Sequence, residues 1–305
     1  MENDKPMIEQ FINEHKLSSG FITTAKRYYT PLADRIALHQ KEARKTYYVG
    51  INGCQGSGKS TLGDFLGTYL KQRYQLNVVI LSLDDFYLNQ SQRLTLAASV
   101  HPLFKTRGVP GTHNTALMHS VLTALSCTEG SLALPKFNKA NDNPFPEDQW
   151  SRVTGPVDIV ILEGWCWGVT AQSPQELTAP VNELEVNEDP QATWRTYVNQ
   201  QLASCYEPLY QQMHYWVMLK APDFSNVFNW RLEQEQKLAA SLASTSNTQI
   251  MNAQQIERFI QFYQRLTEHG LSTLPSHCNE VFELNSQRKI MKHITQSEQG
   301  VQRVK

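Results

Sequence analysis

Between positions 47 and 284 the chain alternates two kinds of apolar pattern. The first is a short continuous run: YYVGI (47–51), VVILSL (78–83), DIVIL (158–162), YWVML (215–219) and VFEL (281–284). Runs of this length, rich in β-branched and aromatic residues, predict strands buried on both faces. The second pattern has helical spacing, as in Leu62, Phe65, Leu66, Tyr69 and Leu70, and again in Leu117, Met118, Val121, Leu122 and Leu125. Strands alternating with helices predict βαβ units, and so an α/β fold with a doubly wound parallel sheet covered on both faces. Residues 1–45 are polar and helical in pattern, with Phe11, Ile12, Phe21 and Ile22 as scattered apolar contacts. They predict an N-terminal helical extension packed on a main domain of 46–305. Three stretches break the rhythm. Residues 138–156, rich in Pro, Asn and Asp, predict a long functional loop; 170–192 are polar and acidic; KLAASLASTSNTQ (237–249) predicts a flexible tip between two helices.

Composition narrows the partners. The 305 residues are 40% hydrophobic and 19% charged, with a net charge of −1, which gives no electrostatic case for nucleic acid or an anionic membrane. No apolar run approaches the ~20 residues of a membrane span. The start MENDKPMIEQ lacks the basic and apolar regions of a signal peptide. Five widely spaced cysteines without a C-x-x-C pair argue against a disulfide framework or zinc site, and the expected compartment is the reducing cytoplasm.

The sharpest chemical signal is GCQGSGKS, Gly53 to Ser60, which fits G-x-x-x-x-G-K-[ST] between a strand and an amphipathic helix. The glycines bring backbone N–H groups against phosphate oxygens, and the following helix adds its positive end. Lys59 can reach the β- and γ-phosphates, and the Ser60 hydroxyl can ligate Mg²⁺. The expected ATP-binding set is Gly53, Cys54, Gln55, Gly56, Ser57, Gly58, Lys59, Ser60 and Thr61.

A phosphate cradle alone leaves kinase, motor and switch open. The N-K-x-D that reads guanine in GTPases is missing, and DIVILEG carries a lone Glu163 where motor ATPases carry an acidic pair. Glu163 is either a Mg²⁺ support or an ordinary strand-end carboxylate. In VVILSLDDFY, Asp84 and Asp85 follow the second strand and fall on the rim where ligands of parallel sheets gather. A carboxylate there can take the proton of an attacking hydroxyl, or cap the next helix.

The P-loop, SLDDFY and DIVILEG, in this order, resemble the phosphoribulokinase, uridine kinase and pantothenate kinase superfamily of three-layer α/β/α P-loop proteins. RGVPGTHN (107–114), LPKFNKA (134–140) and NWRLEQEQKL (229–238) narrow the likeness to the D-glycerate 3-kinase family, over about Tyr47 to Leu284. The resemblance implies a general base at Asp84, with Asp85 at the variable position, and a helical lid around 223–250. It implies ATP as donor, Mg²⁺ as metal, and a hydroxyl of D-glycerate or a related small acid as acceptor. Nucleoside or pantothenate acceptors, and an ATP-binding regulator with slow hydrolysis, are the rivals. Two positions depart from the family pattern: Asn114 and Asn138 stand where aspartate is usual.

Arg107, His113, Lys136 and Lys139 lie on loops of the same rim. Arginine binds carboxylates through two parallel hydrogen bonds, so Arg107 and Lys139 are expected to hold the acceptor, with His113 as hydrogen-bond partner. Asp85 and Tyr87 complete that substrate set. Arg231 on the lid is expected to neutralise charge on the transferred phosphoryl group, which makes Lys59, Asp84 and Arg231 the catalytic set; an exposed helical Arg paired to Glu235 is the alternative. Ser60 and Glu163 are the metal set. Trp165, Cys166 and Trp167 wall the acceptor pocket or belong to the core. Oligomeric state is left open.

Overall fold

A computed structural model describes residues 5–127, 130–241 and 251–296. Six strands form the main sheet: β1 (Tyr47–Gly53), β2 (Val78–Ser82), β3 (Ile159–Gly164), β4 (Tyr215–Lys220), β5 (Glu280–Leu284) and β6 (Ile290–Thr295). Their order is β6-β5-β4-β1-β3-β2. The β1, β2, β3, β4 and β5 pairings are all parallel, and β6 runs antiparallel to β5 at the edge. The five expected strands are therefore present, and the sheet departs from the all-parallel expectation only at β6.

Alternation along each strand divides the core into two layers. Tyr47, Val49, Ile51, Ile159, Ile161, Tyr215, Val217 and Leu219 face Leu62, Phe65 and Leu66 of the P-loop helix (Lys59–Tyr74). Tyr48, Val79, Leu81, Val160, Leu162, Trp216 and Met218 face the opposite layer, which includes Met118 and Leu122 of helix Thr115–Cys127. With helices on both faces, this is a three-layer α/β/α P-loop fold.

Helices Lys5–Glu14 and Thr30–Ala43 join the P-loop layer through Ile8, Phe11, Leu32 and Ile36, all buried. Phe11 meets Phe65 edge-on at 5.4 Å. Arg35 reaches across to the buried Glu280 of β5 with Nη2 at 2.6 Å, tying helix Thr30–Ala43 to that strand.

The stretch 138–156 is more ordered than a loop. Ser131–Leu134 pairs with Ser151–Thr154, and Phe137–Asn138 pairs with Asn143–Pro144, as two small antiparallel ribbons. Within 170–192 lies one short helix, Glu183–Glu188, capped by the Asn182 side chain. The segment 223–250 begins as helix Ser225–Ser241; the rest of the expected lid, and of the tip 237–249, lies outside the described residues.

Candidate active site

Strand register places the site. Glu163 of β3 lies level with Ile51 of β1 on one side and Ser82 of β2 on the other. The ends of three neighbouring strands therefore deliver the P-loop, Glu163 and the Asp84–Asp85 pair to one rim, at the point where β1 is flanked by β3 and β4.

The P-loop wraps from Gly53 to the N-terminus of its helix. Gly56 and Gly58 have φ of 78° and 97°, values that residues with a Cβ rarely adopt. No side chain caps the helix start at Gly58, so its first N–H groups are available to an anion. Ser60 Oγ donates to Glu163 Oε1 at 3.0 Å, and Lys59 Nζ lies 3.7 Å from Glu163 Oε2. That second oxygen is buried and makes no hydrogen bond. Burial works to lower the Lys59 pKa, but the charges of Glu163 and Asp84 outweigh it and raise it. The lysine is therefore cationic, and orphan helix N–H groups stand beside it. That set fits the phosphates of a nucleotide, and the Ser60 hydroxyl with a half-satisfied carboxylate fits a hard cation. Among the described residues no cluster of three His, Cys, Asp or Glu side chains could hold a metal by itself.

Asp84 and Asp85 sit on a one-turn 3-10 helix, Leu83–Phe86, whose start is capped by Ser82 Oγ. Lys139 Nζ donates to Asp84 Oδ2 at 2.6 Å, and Tyr87 OH donates to Oδ1 at 3.0 Å. Burial pushes the Asp84 pKa up, but the ammonium groups of Lys139 and Lys59 more than reverse this and bring it down to about 2. Asp85 points to different partners. It accepts from Lys136 Nζ at 2.9 Å and from the Phe137 amide at 3.3 Å, and burial raises its pKa. It pins the short ribbon beside the site.

The RGVPGTHN loop is stitched to the Asp84 segment through its backbone. Leu88 N–H donates to Thr112 O at 2.8 Å, and Asn114 N–H donates to Phe86 O at 2.7 Å. This stacks His113 on Tyr87 with ring centroids 4.4 Å apart. His113 is buried, which pulls its pKa down to about 3 despite the nearby Asp84, so it is neutral. Its Nδ1 lies 2.6 Å from Tyr206 OH, and its Nε2 makes no hydrogen bond.

Arg107 pairs with Asp142 and lies over the Phe137 ring at 5.5 Å. Asp142 is also gripped by the buried Arg93, Nη2 to Oδ2 at 2.5 Å. Neither Arg93 nor Asp142 was singled out by motif. Arg231 lies in the second turn of helix Ser225–Ser241, with its guanidinium 5.3 Å from the Phe259 centroid. Burial raises the Tyr263 pKa and Asp84 adds to that, while Arg107 and Arg231 both oppose it. The structure thus gathers Lys59, Ser60, Asp84, Glu163, Tyr87 and His113 on one rim, with Arg107 and Arg231 near Tyr263. Trp165 and Trp167 are almost wholly buried, and Trp165 Nε1 donates to Gly108 O at 3.0 Å, so they act as core behind the loop.

The two departures from the family pattern have a local explanation. Asn114 Oδ1 accepts from the Leu117 amide at 3.0 Å, at the start of a helix. Asn138 Oδ1 accepts from the Ala140 and Asn141 amides at 3.0 and 3.2 Å. Asparagine and aspartate do this work about equally well.

No family model matches the chain. A kinase of Schizosaccharomyces pombe described as uncharacterized, mug58, is 29% identical over 268 residues, which cover 83% of this chain and 93% of that one. The chloroplastic D-glycerate 3-kinase of Arabidopsis thaliana is 29% identical over 242 residues, covering 73% of this chain and 50% of that one. Among solved structures, the D-glycerate 3-kinase of Cryptococcus neoformans superposes with a TM-score of 0.73 at 27% identity, covering 88% of this chain and 99% of that one.

Proposed function

We propose, for a chain that is a glycerate-kinase-like P-loop kinase and transfers phosphate from ATP to a hydroxyl of a small molecule, that the acceptor is D-glycerate or a related small hydroxy acid and that Asp84 is its base. The observation that carries this reading is the position of Asp84: a carboxylate on the rim beside the P-loop, close enough to Lys59 to perturb its titration, ringed by Lys139, Tyr87 and His113.

In this mechanism the P-loop amides and Lys59 hold the β- and γ-phosphates. Ser60 and Glu163 would hold Mg²⁺, which supplies charge neutralisation on the phosphate oxygens when bound. The acceptor carboxylate exchanges with Asp142 on Arg107. The acceptor hydroxyl oxygen bonds to the γ-phosphorus as the bond to the bridging oxygen breaks. Its proton passes to Asp84, and ADP leaves. Arg231 faces the negative charge on the group in transit. Neutral His113 offers a hydrogen bond without adding charge. We infer a cytoplasmic location; all five cysteines are free thiols. Among the described residues no helix is long and apolar enough to cross a membrane.

The test is transfer from labelled ATP to a panel of sugar acids, nucleosides and pantothenate. A small acid is expected to be labelled, Lys59→Ala to abolish transfer, and Asp84→Asn to lower kcat by roughly 10²–10⁴. Near wild-type transfer by Asp84→Asn, or labelling of a nucleoside or pantothenate instead, sinks the proposal.

A further inference from the structure

One cation near the nucleotide site has no part in the proposed mechanism. Arg288 sits in the turn between β5 and β6 with a φ of 62°. That turn is held tightly by Asn285, whose Oδ1 accepts from the Gln287 and Lys289 amides at 3.0 and 2.9 Å. The guanidinium is thereby aimed inward, away from the edge of the sheet. Its Nε donates to Gly56 O at 2.7 Å, its Nη2 to Glu233 Oε2 at 2.6 Å, and its Cζ lies 5.3 Å from the Trp230 ring centroid. Trp230 Nε1 donates back to Ser286 O at 2.6 Å. A Cβ on Gly56 would lie 2.7 Å from Trp230 Cβ, so the P-loop touches the lid helix at this point.

We infer that Arg288 is a positioning residue that ties the P-loop and the helix carrying Arg231 to the β5–β6 turn. Two physical arguments support it. The first concerns the Gly56–Ser57 peptide. Gly56 on its N-terminal side turns at little cost, at a φ of 78°, so this peptide could swing its carbonyl toward an incoming phosphate and repel it. Here both ends are held: Ser57 N–H donates to Cys54 O at 3.1 Å, and Gly56 O accepts from Arg288. The second concerns the lid. Residues 231 and 233 are about 200° apart around a helix, on opposite faces. Gripping Glu233 on the turn side therefore leaves Arg231 on the far face, where it meets Phe259. The charge of Arg288 also reaches into the loop, where with Lys59 it partly offsets the burial that raises the Cys54 thiol to about 12.

The catalytic consequence rests on the phosphoryl-transfer role proposed for Arg231; the tie to the P-loop does not. The experiment therefore uses three readouts on the full chain: amide hydrogen exchange without nucleotide, calorimetric titration with ATP and Mg²⁺, and steady-state transfer to D-glycerate. Arg288→Ala is expected to speed exchange in both 54–60 and 225–236 and to weaken ATP binding about tenfold, the loss of the charge-assisted hydrogen bond that holds Gly56 O. Glu233→Gln is expected to loosen only the helix and to lower kcat, with ATP affinity held within about twofold. Arg288→Lys, which can keep the bond to Gly56, is expected to match Glu233→Gln rather than Arg288→Ala. Unchanged exchange at 54–60 with near wild-type ATP affinity in Arg288→Ala overturns the inference. Uniform loss in all three variants, without the split between ATP affinity and kcat, overturns it as well. If wild type labels no small acid, the acceptor proposal falls, while exchange and ATP binding still judge the tie.

Discussion

The two halves of the rim are built on different principles. On the donor side, ligand groups are backbone amides and a helix end, set by a buried strand and by glycines with positive φ. Lys59 and Glu163 there have side chains only 18% and 6% exposed, so little solvent screens them. On the acceptor side, the groups are long side chains on ribbons and loops, and each cation leans on a carboxylate of the same protein. Lys139 holds Asp84, Lys136 holds Asp85, and Arg107 holds Asp142. Lys136 and Lys139 have side chains 58% and 61% exposed. Under the proposed assignment of donor and acceptor sides, the first is finished before substrate arrives, whereas the second has to exchange partners. A preformed cradle suits a phosphate group common to many reactions. Exchangeable ion pairs leave acceptor choice to a few side chains.

The contrast predicts where substitutions act and how strongly. The largest effect after Lys59 and Asp84 belongs to Arg231→Ala, expected to lower kcat on the order of 10³ with little change in ATP affinity, as seen by separate kinetic and binding measurements. Equal losses in both would place Arg231 on the donor side and break the comparison. Arg107→Ala is expected to raise the KM for the acceptor on the order of tenfold or more while kcat changes less, read from acceptor titrations at saturating ATP.

Lys139→Ala probes the exchange itself through pH. With Lys139 in place, Asp84 is held at about 2, below its unfolded value, so its contribution to stability is full above about pH 4 and fades as pH falls toward 2. Removing Lys139 leaves burial opposed mainly by Lys59, so the Asp84 pKa rises. Acid unfolding monitored by circular dichroism should begin at higher pH in the variant, and the acid limb of kcat should move up. An unmoved acid limb would mean that Asp84 does not titrate in the reaction. The smallest effects are expected from Asn114→Asp and Asn138→Asp, which keep the capping oxygen: about 0.5 kcal/mol or less in thermal stability, and kcat/KM within a few fold. A large gain in acceptor affinity in either would show that these positions face substrate.

The same contrast separates the features that leave a mark in the sequence from those that do not. Five strands were legible because burial on both faces demands continuous apolar runs, and the cradle was legible because its geometry demands glycines at fixed spacing. β6 was not legible, since an edge strand is half exposed and IMKHIT mixes polar and apolar positions. The ribbons in 131–154 are short pairings set by tertiary contacts, and polar composition made much of that stretch look like a loop. At the site, Asp84, Glu163, His113 and Arg107 follow from motif and position, as do Lys139, Tyr87, Lys59 and Ser60 that meet them, but Asp142 on Arg107 and Tyr206 on His113 do not. Arg288 had no signal at all, because it meets Gly56 across 232 positions of chain. Motifs record what a ligand demands of a short segment. Contacts between distant side chains leave no such local trace.

Asp142 gives the acceptor side a property of its own. It is a carboxylate carried on the same chain, at a φ of 52°, with one oxygen on the buried Arg93 and the other on Arg107. To the Arg107 guanidinium it is a tethered rival of any incoming acid, and a short tether presents such a rival at an effective concentration on the order of millimolar or more. A free acid gains at Arg107 only to the extent that it also satisfies Asp84, Lys139 and His113. If Arg107 holds the acceptor as proposed, acids that offer a carboxylate without a hydroxyl in reach would lose that competition. Selectivity would then be set by an occupant built into the loop, as well as by the shape of the pocket.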